Sequence, residues 1–155
     1  QLALLNFQGV SRRYDIYKNI QIGKKEMMVI DDYGHHPTEI KAVIEATKKG
    51  FPGKEISLVF QPHRYSRTRD CYADFIEILK IPEKLFLFDI YSAGEQPLEN
   101  ISSSKIIKDI DKEQTFYLQK FEDAKKIVST NISENSILIV MGAGSIGNFA
   151  KELIG

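Results

Sequence analysis

Glu26-Met-Met-Val-Ile-Asp31, then Asp32-Tyr-Gly-His-His36, then Pro37-Thr-Glu-Ile-Lys-Ala-Val-Ile-Glu-Ala-Thr-Lys-Lys49 and, beyond Gly50, Ile56-Ser-Leu-Val-Phe-Gln61: this stretch decides the fold. A short run rich in apolar and β-favouring residues reads as a strand. Proline at the first helical turn and glycine after the last frame a helix from Pro37 to about Lys49. The apolar run from Ile56 to Gln61 is of the buried-strand kind. Strand, helix, strand at these lengths is a βαβ unit, which implies a parallel pair.

Upstream of this unit, residues 13–20 read as a strand joined to the one at 26–31 through Ile22-Gly23-Lys24, a hairpin signal. Downstream the alternation continues. A helix is expected over residues 67–80, where Tyr72, Phe75, Ile76 and Leu79 recur at helical spacing, and a strand over 84–90. Residues 103–110, 122–129 and 145–154 read as helices, and 115–118 and 137–141 as strands. The expected architecture is α/β: a three-layer, Rossmann-like domain with a mostly parallel sheet and an antiparallel hairpin at its start. In such sheets ligands sit beyond the carboxyl ends of the strands.

Composition narrows the function. The 155 residues carry 21 Lys+Arg against 21 Asp+Glu, a formal net charge of zero, which argues against a strongly basic nucleic-acid surface. Hydrophobic residues at 43% and charged residues at 27% fit a soluble globular domain. The longest weakly polar stretch, residues 136–150, is too short for a membrane span. Cys71 is the only cysteine, so neither an intrachain disulfide nor a cysteine-based zinc site is available, and the expected setting is cytoplasmic. The chain opens on Gln1 with an apolar segment through Phe7, which reads as the end of an upstream element. Residues 1–10 are therefore expected to be a domain tail and hinge, with the hinge at Gly9-Val10 and one domain over 11–155.

Two polar clusters fall at expected strand ends. The first is Asp31-Asp32-Tyr33-Gly34-His35-His36-Pro37-Thr38-Glu39. Helix capping accounts for Thr38 and Glu39 but leaves Tyr33, His35 and His36 unexplained. The second is Gln61-Pro62-His63-Arg64-Tyr65-Ser66-Arg67-Thr68-Arg69-Asp70. Arginines are the wrong sign for the first turn of a helix, so their presence calls for an anion, and guanidinium groups bind carboxylate or phosphate oxygens bidentately. Asp32, His35, His36 and His63 also invite a metal reading and with it a metal-dependent phosphoesterase. Their spacing matches no metal motif, however, and the arginines would repel a cation. Gly142-Ala-Gly-Ser-Ile-Gly147 is a literal G-x-G-x-x-G after a strand. The acidic residue that completes a dinucleotide fingerprint would lie beyond Gly155, so tight turning and close packing account for it better than a free-standing nucleotide-binding module.

Taken together with Phe7-Gln-Gly-Val-Ser-Arg-Arg-Tyr14 and Tyr91-Ser-Ala-Gly-Glu95, these clusters resemble the carboxy-terminal domain of the Mur ligases of peptidoglycan synthesis. Within that family they are most similar to the branch that adds L-alanine to UDP-N-acetylmuramate, with the ligase that recycles murein tripeptide as the alternative. The resemblance implies an amino-acid-binding domain in an ATP- and Mg²⁺-dependent enzyme that activates the muramyl carboxylate as an acyl phosphate. The P-loop lies in a central ATPase domain, so these residues alone are expected to be inactive. By resemblance, Arg13 lies near the ATP phosphates and Asp32 on the nucleotide side. His35, Tyr33, His63, Arg64 and Arg67 surround the incoming alanine. No nucleic-acid or membrane partner is implied.

Overall fold

The computed structural model describes residues 12–155. The expected tail and hinge at 1–10 lie outside them. In chain order the elements are β1 (Asp15–Ile22), β2 (Lys25–Asp32), α1 (Pro37–Gly50), β3 (Glu55–Phe60), α2 (Tyr65–Asp70), α3 (Tyr72–Leu79), β4 (Lys84–Phe88), α4 (Ser103–Ile110), β5 (Thr115–Leu118), α5 (Phe121–Asn131), β6 (Ser136–Met141) and α6 (Ile146–Ile154). Six strands form one sheet in the order β1-β2-β6-β3-β4-β5. Only β1 and β2 pair antiparallel; the other pairings are parallel.

Side-chain alternation along the central strands builds two cores. Ile137, Ile139 and Met141 of β6 join Leu58 and Phe60 of β3 on the face covered by α1, α3 and α4. Leu138 and Val140 join Val59, Phe86 and Phe88 on the face covered by α5 and α6. All six residues of β6 are buried, as a strand covered on both faces requires. Each such aliphatic side chain contributes about 1.5–3 kcal/mol by leaving water. The edge strand β1 is half exposed and bears a register shift between Tyr17 and Ile20, where Asn19 has φ +58°. Such a bulge blunts an edge that would otherwise offer unpaired groups.

The single helix expected over 67–80 is two helices in the structure. It starts earlier, at Tyr65, because the Arg64 carbonyl accepts both the Thr68 N–H at 3.1 Å and its hydroxyl at 2.9 Å. It then breaks at Cys71 (φ −107°, ψ 21°), the sparsely populated bridge region. The break lets α3 lay Phe75 against Phe60, ring centres 5.8 Å apart, while α2 keeps to the sheet's carboxyl edge. The inserted strand β6 places the reversal of strand order between β2 and β3, so the loops after β2, β6, β3 and β4 surround one crevice.

Candidate functional site

The loop after β2 is built on carboxylates that backbone N–H groups satisfy. Asp32, 7% exposed, accepts the Tyr14 N–H on Oδ2 at 2.8 Å and the Gly34 N–H on Oδ1 at 2.6 Å. Glu39 closes a capping box: its Oε2 accepts the N–H groups of His35 at 2.8 Å and His36 at 2.9 Å. Burial works against the Glu39 carboxylate, but those two bonds and the nearby His35 and Arg13 charges hold its pKa below the usual value. A side chain at Gly34 would meet Asp32 Oδ1 and the Met141 methyl at 2.8 Å each, so the loop closes tightly over the sheet.

Arg12, rather than its neighbour Arg13, is the half-buried arginine committed to the fold. Its Nε donates to both oxygens of Asp31 at 3.0 Å, and its carbonyl accepts the Tyr33 N–H at 2.8 Å. Burial nonetheless raises the Asp31 pKa against the pull of Arg12. Arg13 is left exposed, its guanidinium 5.7 Å from the centre of the Tyr33 ring. Doublets of arginine do not reveal in sequence which member is committed to the fold.

The loop after β3 is held from a distance. Arg64 adopts φ +73°, a strained conformation for a side chain of its size. Its N–H donates to the Tyr91 carbonyl at 2.8 Å, and its Nε donates to Glu95 Oε1 at 2.7 Å. Glu95 also accepts the Ser66 hydroxyl at 2.6 Å and the Ser66 N–H at 2.9 Å. Those bonds, the Ser66 hydroxyl first, bring the Glu95 pKa down to about 2. Nothing in the sequence spacing of Glu95 announces this clamp. Arg67 turns back onto its own loop, its Nη1 3.2 Å from both the His63 carbonyl and His63 Nδ1.

Four rings run across the carboxyl edge. Tyr33 meets His35 edge-on at 5.5 Å, His35 lies 5.4 Å from His63, and His63 stacks on Tyr91 at 5.5 Å. Burial, then the neighbouring His35, Arg67 and Arg64, keeps the His63 pKa below its ordinary value. The structure thus brings Tyr33, His35, His63 and Arg67 together, puts Arg64 and Arg13 at either flank, and sets Asp32 beneath. His36 does not join them: it caps α1 and turns its Nε2 to Cys71 Sγ at 3.5 Å. Among the described residues no group of three or more His, Cys, Asp or Glu side chains could hold a metal ion.

The glycine loop after β6 is a packing device. A Cβ on Gly144 would sit 2.5 Å from Tyr91 Cγ, and one on Gly142 would sit 2.9 Å from the Gln61 carbonyl. Gln61 Oε1 accepts the Ile146 N–H at 2.9 Å, so a side chain of this chain occupies the start of α6, where a dinucleotide would place its pyrophosphate.

The mostly parallel sheet with a reversal of strand order, the histidine-arginine crevice at its carboxyl edge and the glycine loop closed by glutamine make a three-layer α/β domain with one ligand-facing edge, and the chain belongs to the Mur ligase family. The family model described as "Mur ligase, glutamate ligase domain" matches residues 12–144. The UDP-N-acetylmuramate–L-alanine ligase of Nitrosomonas eutropha is 43% identical across 97% of this chain and 33% of its own length. The crystal structure of the UDP-N-acetylmuramate-alanine ligase of Thermotoga maritima superposes with a TM-score of 0.70 at 25% identity, covering 99% of this chain and 31% of that one. The murein peptide ligase of Psychrobacter arcticus shares the fold, with a TM-score of 0.68 at 18% identity over 99% of this chain and 31% of that one. The chain therefore spans about a third of the length of the curated relatives it matches. Among the described residues no helix is long and apolar enough to cross a membrane.

Proposed function

We propose that this chain is the amino-acid-handling domain of an ATP-dependent ligase that joins L-alanine to UDP-N-acetylmuramate in the cytoplasm. The observation that carries the reading is the Arg67–His63 pair beside His35, with ring centres 5.4 Å apart, in a chain whose curated relatives bear that name. Arg67 and His63 hold the alanine carboxylate, which leaves the amine free to face the acyl phosphate. Tyr33 and Arg64 wall the site, and the cationic surroundings favour the negative tetrahedral transition state. Arg13, exposed over Tyr33, is directed at ATP phosphates presented by a neighbouring domain. Asp32 fixes the loop that carries Tyr33 and His35, on the nucleotide side.

ATP and Mg²⁺ belong mainly to the central domain in this reading. Residues 1–10 are then its tail and the hinge, and the 155 residues alone turn nothing over. The test is turnover by the full-length ligase carrying Arg67→Ala, with ATP, UDP-N-acetylmuramate and varied L-alanine. Loss of a hydrogen bond to a charged group is worth about 1.5–3 kcal/mol, so the alanine requirement should rise roughly 10- to 100-fold with muramyl-substrate affinity intact. An unchanged alanine requirement would remove Arg67 from the site.

A further inference from the structure

We propose that the two site histidines hold opposite tautomers and so divide the chemistry: His35 Nε2 takes a proton from the incoming amine, while His63 Nε2–H donates to the substrate. This rests on the ligase reading above, but the tautomers come from hydrogen-bond partners that can act in only one direction. The Tyr33 carbonyl, 3.2 Å from His35 Nδ1, can only accept. Nδ1 therefore carries the hydrogen, and the neutral ring keeps its lone pair on Nε2. Arg67 Nη1, 3.2 Å from His63 Nδ1, can only donate. Here Nδ1 is the acceptor and the hydrogen sits on Nε2. The two rings are neighbours, yet one presents a lone pair and the other an N–H.

The surroundings of the two rings differ: a carboxylate stands beside His35 and guanidinium groups beside His63. From α1, a Glu39 carboxylate oxygen lies 4.0 Å from His35 Nδ1 and is ready to face an imidazolium. From the β3–α2 loop His35 faces His63, behind which stand Arg67 and Arg64 with Glu95 on the latter. From its own loop it meets Tyr33, over which Arg13 lies. His63, by contrast, is desolvated and lies beside His35, Arg67 and Arg64, so a second proton on it is disfavoured.

The step balances as follows. The alanine ammonium gives one proton to His35 Nε2, and the freed lone pair forms the C–N bond at the acyl carbon of the acyl phosphate. The C–O bond to phosphate breaks with its electron pair leaving on oxygen. Phosphate carries away the second nitrogen proton as hydrogen phosphate, and His35 returns its proton to solvent.

Two readouts test this in the full-length ligase. Long-range ¹H–¹⁵N correlation on ¹⁵N-histidine-labelled enzyme should show the hydrogen on Nδ1 of His35 and on Nε2 of His63; either reversed would overturn the assignment. Kinetically, His35→Asn keeps an N–H for the Tyr33 carbonyl but removes Nε2. It should lower kcat about 100-fold or more and abolish the acidic limb of kcat against pH at saturating alanine, with KM for alanine little changed. His63→Gln retains an N–H near the Nε2 position, so it should raise the KM for alanine but keep that limb. A limb that survives His35→Asn, or vanishes in His63→Gln, would refute the division of roles. A wild-type enzyme without alanine-dependent phosphate release would sink the ligase reading and the proton-transfer role together. An active one with the limbs exchanged would sink only the latter.

Discussion

The loops after β2 and β3 end on the same edge of the sheet and meet through His35 and His63, yet they are held in opposite ways. The first is negative and largely self-contained. Asp32 and Glu39 accept backbone N–H groups from Gly34, His35 and His36 within a few positions; the Tyr14 N–H and the Arg12 carbonyl, which accepts the Tyr33 N–H, come from farther away. The second is positive and borrowed. Its strained Arg64, its Ser66 and its His63 ring are held by Tyr91 and Glu95, which reach over from the loop after β4. A loop of the first kind is as stiff as its own backbone. One of the second kind is only as well placed as its neighbour.

Breaking the first loop should cost most. Asp32→Ala orphans the Tyr14 and Gly34 N–H groups, and bonds to a charged acceptor are worth about 1.5–3 kcal/mol each. Urea unfolding of the chain should therefore show a loss of about 3 kcal/mol or more. A loss well under 1 kcal/mol would mean that water replaces the carboxylate and that the loop is not built on it.

The second loop is better disturbed through its neighbour. Gly144→Ala drives a methyl to 2.5 Å from Tyr91 Cγ, so Tyr91 must leave its stack on His63. Overpacking of this kind costs about 1–3 kcal/mol. The expected signature is a changed His63 titration by NMR alongside the stability loss, while His35 is little affected. Equal changes at both histidines would erase the distinction between the loops.

The smallest effect belongs to Glu95→Gln and disappears in acid. The folded Glu95 pKa of about 2 lies below its ordinary 4.5, so its contribution is present above that ordinary value and is lost as pH falls toward 2. The wild-type melting temperature should fall more steeply over that interval than that of Glu95→Gln. Parallel curves would mean that the clamp adds nothing to stability.

This contrast also explains what could be read from sequence. The helix starting at Pro37 and its acidic cap are legible because the capping partners lie within four residues, and the hairpin is legible because Gly23 sits between matched runs. The parallel order follows from alternation of strand and helix. The break at Cys71 is hidden because α3 turns to reach Phe60, a residue whose nearness no periodicity reports. The clamp by Glu95, the commitment of Arg12 to Asp31 and the plug of Gln61 are likewise pairings across large sequence separations. Seven residues expected at the site thus converge or flank it by position, while the residues that hold them there needed the folded chain to be seen.

Gln61 carries a consequence for how an anion is recognised. Backbone amides at a helix start grip an oxygen without losing rotamer freedom, but here that seat is taken by the glutamine carbonyl. A carboxylate arriving at this edge must be read by flexible cations instead, and immobilising an arginine costs up to about 2 kcal/mol. Arg67 has met much of that loss already, since two bonds to His63 restrict it before any ligand comes. Recognition through side-chain charge is also screened by salt. On the proposed function, the domain's grip on the amino acid should thus loosen as ionic strength rises, a sensitivity that an amide-lined anion seat would show far less.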